Sequence, residues 1–412
     1  MKNNPYLSLK IRAFRLFLIG RLFIFLALQV QILASSWQVY SLTKNPLYLG
    51  LIGLSVALPA IGVSLYAGHL SDFIERKLIV IVTAITLMAS MIMLIICSIF
   101  IKNEQLLLCL IFIFVTLTGL SRGFLIPSLF GLLSDIVPRK LYGSATAINS
   151  AARTASSIFG PVMGGFMYTW SSAASTYFVA ALFLLLSIIC LLRLQLKSVA
   201  PIKQTTSVLE SIKEGLSFVR SNQVILGAMA LDLFAVLFGG AVALLPVFVS
   251  EIFHQGPEML GILRAAPSVG ALLAAVTLAH RPIMKHAGVI LLITIAGFGI
   301  SMIGFGLCTN VYFSLLLLSL SGIFDNVSVY IRSTIYQLST PNEMKGRISA
   351  INSIFIYLSN EIGEFESGVT AKLMGLVPSV VFGGCMTLSV VLITALKAPK
   401  LRRLHMQDLY NQ

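Results

Sequence analysis

Residues Gly346–Gly368 read GRISAINSIFIYLSNEIGEFESG, a run of helix length in which Glu361, Glu364 and Glu366 stand among mainly apolar and small residues. A carboxylate near the middle of a bilayer costs roughly 3 kcal/mol on insertion scales, so acidic residues in such a run mark function. At about 100° per residue, Glu361 and Glu364 lie about 60° apart on one helix face, and Glu366 points about 160° away from Glu364. The first two form a candidate unit and the third stands alone.

A shift of 203 residues lays Gly143–Gly165 on this stretch. Gly143 falls on Gly346, Ala147-Ile148-Asn149-Ser150 on Ala350-Ile351-Asn352-Ser353, Gly160 on Gly363 and Gly165 on Gly368. Upstream, Pro138 falls on Pro341 and Arg122 on Asp325; a shift of 208 relates Gly53, Pro59 and Gly62 to Gly261, Pro267 and Gly270. Two halves of about 200 residues that carry one pattern in one order imply a duplicated helical bundle. The copies differ by charge at Pro161, replaced by Glu364, and at Arg122, replaced by Asp325. Those positions are expected to face a shared site.

With 57% hydrophobic and 11% charged residues over 412 positions and a mean hydropathy of +0.94, the chain is too apolar for a soluble domain. Spans of about 20 residues or more are predicted near 13–39, 48–71, 78–101, 105–133, 141–169, 173–196, 222–251, 257–280, 286–308, 310–336, 345–373 and 375–397. The expected fold is an all-α membrane protein of twelve transmembrane helices in two pseudo-symmetric six-helix bundles, residues 1–196 and 222–397, with a linker at 197–221 and a tail at 398–412. In the linker Val208, Leu209, Ile212, Leu216 and Val219 make one apolar stripe, which predicts a helix lying on the cytoplasmic membrane face.

The net charge of +14 needs no nucleic-acid partner. With both termini cytoplasmic, twenty of the 29 Lys and Arg residues fall in cytoplasmic segments and only Lys44, Lys102 and Lys372 in outer loops, which orients the chain by the positive-inside rule. Cys97, Cys109, Cys190, Cys308 and Cys385 all fall within spans, at no metal-ligand spacing; no metal or cofactor is implied. The first apolar run is too long for a cleavable leader and retains Arg21, so it reads as the first span. It also carries Arg15, Gln29, Gln31, Trp37 and Gln38. Arg15 can snorkel to the headgroups, whereas Arg21, about 9 Å further along the helix, either pairs across helices or lines a cavity.

Two motifs follow. Gly68-His69-Leu70-Ser71-Asp72-Phe73-Ile74-Glu75-Arg76-Lys77 closes the second span; its glycine permits close helix approach, and an aspartate at a helix end pairs with arginines and helix dipoles to latch one conformation. A loop that merely obeys the positive-inside rule explains the basic residues but not Gly68 and Asp72. In the fifth span Gly160-Pro161-Val162-Met163-Gly164-Gly165 sets small residues around a proline, suited to bending and tight packing. On these residues the chain resembles the major facilitator superfamily. Gly68, Leu70, Asp72, Arg76 and Lys77 match its loop between the second and third helices, with Phe73 and Glu75 in place of the usual arginine and glycine. Gly160, Pro161, Gly164 and Gly165 resemble the antiporter motif of drug-exporting members, with Ser156 for its upstream glycine. Arg122 stands where members often place a proton-coupling arginine, but Ile126 replaces the usual glycine four positions later. Asp325–Ser333 and Ser359–Gly368 resemble a branch of bacterial siderophore and macrolide exporters.

The chain carries neither a G-x-x-x-x-G-K-[ST] loop nor an H-E-x-x-H pair, and the resemblance implies a transporter rather than an enzyme. The expected protein is a monomeric secondary transporter of the bacterial inner membrane whose partners are protons, the bilayer and a small amphiphilic substrate. That substrate is a siderophore by resemblance, with a drug as runner-up; an importer or a lysophospholipid flippase of the same fold are the alternatives. Glu364, Glu361, Asp232 and Asp325 are the candidate proton carriers, because a carboxylate in apolar surroundings takes up a proton more readily than in water. Glu364 leads, since it stands where the repeat is broken. Arg21, Arg122, Arg264, Arg332, Gln29 and Trp37 are candidates to hold substrate or to pair with the carboxylates. Asp232 has an arginine such as Arg264 as its candidate partner. Asp325 and Arg332, on one helix face but about 10 Å apart along the axis, each need a partner on another helix.

Overall fold

The computed structural model describes residues 7–70, 74–195, 208–341 and 344–407. Its helices are α1 (Arg12–Thr43), α2 (Pro46–Leu70), α3 (Arg76–Phe100), α4 (Glu104–Ile136), α5 (Tyr142–Trp170), α6 (Ala173–Leu192), α7 (Val208–Ser221), α8 (Gln223–Phe238), α9 (Leu245–Val247), α10 (Pro257–His280), α11 (Ala287–Leu307), α12 (Val311–Ser339), α13 (Lys345–Met374), α14 (Leu376–Lys397) and α15 (Pro399–Arg402). Asn103, Ser172, Asn222 and Asn310 cap the starts of α4, α6, α8 and α12 with their side chains, satisfying N–H groups that lack intrahelical partners. Among the described residues ten helical stretches are long and apolar enough to cross a membrane. α5 and α13, with 29 and 30 residues, have the length but not the apolarity: they are the two copies of the repeat, rich in small and polar side chains.

The chain divides into two compact units, residues 1–44, 55–204 and 255–265 in the first, and 45–54, 205–254 and 266–412 in the second. Each draws mainly on one half of the sequence, and α2 and α10 are divided between them.

In the first unit α1 packs along α5 and α6, and α3 along α4 and α6. Phe14, Phe17, Ile24 and Leu33 of α1 are wholly buried. Polar residues bridge these helices: the Gln31 amide N–H donates to Thr118 (2.8 Å), that of Gln38 to Ser98 (3.1 Å), and the Tyr177 hydroxyl to Gln38 (2.8 Å). Two glutamines of the first span are therefore structural cross-links, as buried polar groups in an apolar bundle must be. α2 crosses α4 at Gly119-x-x-x-Gly123, where added Cβ atoms would lie 2.3 Å from the Val56 carbonyl oxygen and 2.8 Å from that of Ala60. Small residues four apart let the two backbones touch. Gly160 packs on α1, its added Cβ 2.6 Å from Cβ of Gln29, while Gly165 and Gly261 bring α5 against the start of α10, each Cβ 2.4 Å from a carbonyl oxygen of the opposite helix. Arg76 reaches from the start of α3 to Asp135 near the end of α4 (2.8 Å) and to the Gly131 carbonyl (3.4 Å). Asp72 and the surroundings of Gly68 lie outside the described residues, so Arg76 is the described member of the expected latch.

In the second unit α11 packs along α12 and α14, and α8 along α13 and α14. The chain beyond α14 closes one end of this core: Leu401 and Met406 are buried with Ala287 and Leu291, and the Gly288 N–H donates to the Leu404 carbonyl (3.2 Å). The linker helix α7 differs from expectation. Its Leu216 and Val219 pack on Ile348 and Ile351 of α13 and Met229 of α8, so this part of the stripe meets protein rather than lipid. Gly215 makes that approach feasible, since a Cβ there would lie 2.6 Å from the tip of Ile351; Glu214 adds an ion pair with Arg347.

Backbone contact at Gly119 predicts that Gly119→Leu lowers the stability of the purified protein by at least about 1–3 kcal/mol, read as a fall in melting temperature. Gly62, exposed and with nothing within 4 Å of an added Cβ, is the control: Gly62→Ala is neutral or stabilising by up to about 1 kcal/mol.

Candidate transport site

The seventh predicted span is not one helix. α8 ends at Phe238, and Gly239-Gly240, a tight turn over Ala241–Leu244, α9 and a wide π turn over Phe248–Ile252 carry the chain onward. Two adjacent glycines weaken a helix, and here they admit neighbours: a Cβ on Gly239 would lie 2.4 Å from the Phe298 ring, and one on Gly240 2.8 Å from the Gly363 carbonyl oxygen. Irregular backbone at membrane depth is tolerated where it is buried in protein or lines a cavity.

Such a cavity lies beside the break, within the second unit, with a volume of about 370 Å³. Its polar wall is made by Asp232 of α8, Asp325 and Arg332 of α12, and Asn360 and Glu364 of α13; Phe298 and Met302 of α11 are part of its apolar wall. The volume is that of a small-molecule pocket, apolar with a few convergent polar groups.

Asp232 and Arg332 form a buried ion pair, 7% and 4% exposed, and the Arg332 Nε–H also points to the Ser328 carbonyl (3.4 Å). Asp232 has its arginine partner in Arg332 of α12. Arg332 thus has the partner on another helix that its position demanded. Asp325, two turns earlier on α12, is open to the cavity and has neither hydrogen bond nor ion pair among the described residues. Glu364 leans on α2: a Cβ on Gly53 would fall 2.6 Å from its Oε2. Glu361 and Glu366 do not line the cavity. The lining face of α13 runs Ile356, Asn360, Glu364 in steps of one turn, and Glu361 is rotated off that line.

Of the remaining candidates, Gln29 donates to Ser157 (3.2 Å) in the first unit, Arg21 stacks over Phe25 and Phe17 at 5.2 and 5.9 Å, Arg122 is half-buried within the Gly119–Gly123 crossing, and Trp37 is half-buried. None of these four lines the cavity. Sequence reasoning missed Asn360, Gly53 and the Gly239-Gly240 break. The first was legible as a polar residue one turn before Glu364, and the last as a glycine pair inside a span.

A model of the transmembrane secretion effector family matches residues 3–411. The chain belongs to this family of major facilitators. Among its relatives are the uncharacterized MFS-type transporter YfiS of Bacillus subtilis, 24% identical over 86% of this chain and 85% of that one, and the enterobactin exporter EntS of Citrobacter koseri, 25% identical over 93% and 89%. Solved structures share the major facilitator fold: a D-xylose–proton symporter superposes with a TM-score of 0.73 at 16% identity, covering 97% of this chain and 100% of the other. A bacterial homologue of the lysosomal transporter Spinster, solved inward-facing and unoccupied, gives 0.63 at 13%, covering 96% and 98%.

The buried pair predicts non-additive mutants. Arg332→Met leaves an uncompensated buried carboxylate and lowers stability by roughly 3–5 kcal/mol, whereas Arg332→Met combined with Asp232→Leu recovers most of that loss. Thermal melting of the purified single and double variants checks it.

Proposed function

We propose that this major facilitator is a secondary active exporter that carries a small amphiphilic molecule, a siderophore, out across the bacterial inner membrane in exchange for protons. In this reading it crosses the membrane twelve times with both termini in the cytoplasm, as the distribution of its basic residues supports, and it works as a monomer by alternating access. The observation that carries this reading is the cavity of the second unit, where Asp325 and Glu364 stand beside the neutralised Asp232–Arg332 pair and the break after α8. A carboxylate in a pocket of this kind is an exchangeable proton site, and its protonation state can be coupled to occupancy of the same pocket. Asp325 is the carboxylate open to the cavity without a partner among the described residues; Glu364 is held against α2 at Gly53, which suits it to sense movement of that helix. Export and the siderophore class draw support from the resemblance to enterobactin exporters.

The test is uptake into inside-out vesicles that carry the purified protein and an acidic lumen. Wild type accumulates an iron-free catecholate siderophore only while the gradient lasts, and Asp325→Asn and Glu364→Gln fall to the level of protein-free vesicles. Accumulation of ethidium as well would assign multidrug efflux. Gradient-independent uptake in wild type, or full uptake in both variants, would overturn proton exchange at this cavity.

A further inference from the structure

The first half of the sequence has a charge problem that the second does not share. Its carboxylates are Asp72, Glu75, Glu104 and Asp135, all at or near predicted helix ends, yet Arg21, Arg122 and Arg153 lie well inside α1, α4 and α5. None of the three arginines has an ion pair among the described residues. Charges at membrane depth pair with one another, or mark a substrate pathway. Arg21 and Arg153 flank the contact at which the Ser156 hydroxyl of α5 donates to the Leu22 carbonyl of α1 (3.4 Å). They stand at matching depths, nine and eleven residues into parallel-running helices, or about 13 and 16 Å from the helix starts. Around them run Phe17, Phe25 and Gln29 on α1, and Asn149 and Ser157 on α5. Gln29 and Ser157 are hydrogen-bonded; Nε of Arg21 and Oδ1 of the buried Asn149 have no hydrogen-bond partner among the described residues.

The internal repeat says which way this face of α5 looks. The shift of 203 maps Arg153, Ser157 and Pro161 onto Ile356, Asn360 and Glu364, the α13 residues that line the cavity of the second unit, and it maps Arg122 onto Asp325, which lines it too. The arginine-bearing face of α5 is the counterpart of a cavity-lining face.

We propose that Arg21 and Arg153 form an anion seat in the first unit that takes the carboxylate or phenolate of an aromatic organic anion. Two guanidiniums supply the charge-assisted hydrogen bonds, the half-buried Phe25 supplies the apolar contact, and the anion offsets the two positive charges. As a substrate class this rests on the transport reading above; as a binding site it stands alone.

The test uses the full-length protein in nanodiscs and two fluorescent probes of similar size, dansylglycine as the anion and dansylcadaverine as the cation. Wild type binds dansylglycine saturably and more tightly than dansylcadaverine. Arg153→Gln, at an exposed position that leaves the fold intact, weakens dansylglycine binding about tenfold or more. Arg21→Gln with Arg153→Gln abolishes it, and the matching double lysine variant retains part of it. Equal binding of both probes, no saturable anion binding, or undiminished anion binding in the double glutamine variant would overturn the seat. Proton-driven uptake of dansylcadaverine but not dansylglycine would overturn organic anions as the transported class and leave proton coupling standing. Anion binding lost in the glutamine variants, with no gradient-driven uptake of either probe by wild type, would uphold the seat and remove the coupling.

Discussion

The absence of water in the bilayer core governs this molecule: any charge or broken backbone at that depth must find a protein partner or line a site. Arg332 and Asp232 meet the requirement together. Each would be expensive alone, and as a buried pair they place an acceptor and a donor beside a cavity without adding net charge to it. That neutrality makes the neighbouring carboxylates interpretable. Asp325 and Glu364 line the same cavity, and Arg332 is the arginine among its lining residues.

Close backbone contact does the rest of the positioning. Gly53 lets α2 reach Glu364, Gly240 lets the broken end of α8 reach Gly363, and Gly119 and Gly123 let α2 lie on α4. In lipid, helices gain little from burying apolar surface against one another, so packing at small residues is what holds them. The cavity-lining carboxylate Glu364 and the break after α8 thus sit on contacts that tolerate no added side chain without movement.

Much of this was legible in the sequence because the chain is duplicated. Helix positions followed from apolar runs, and the charge-breaking positions of the repeat, Glu364 and Asp325, both line the cavity. What failed to show was pairing across helices. Nothing in the sequence singled out Arg332 as a partner of Asp232, since that pairing depends on how α12 packs against α8. Composition likewise left open what α7 covers: its amphipathic stripe fits lipid or protein equally, and only Gly215 packed against Ile351 decides for protein in its second half. The break at Gly239-Gly240 was hidden by the apolar residues on both sides, which read as one span.

In the proposed cycle protons and substrate compete for the second-unit cavity, and proton release on binding measures that competition directly. Purified protein in weakly buffered detergent solution, mixed with an iron-free catecholate siderophore in the presence of a pH indicator, should release protons in proportion to occupied protein. The combined Asp325→Asn and Glu364→Gln variant should bind without releasing them. Equal release by both proteins, or binding by wild type with no release between about pH 6 and 8, a range that perturbed carboxylates reach, would contradict competition at this cavity.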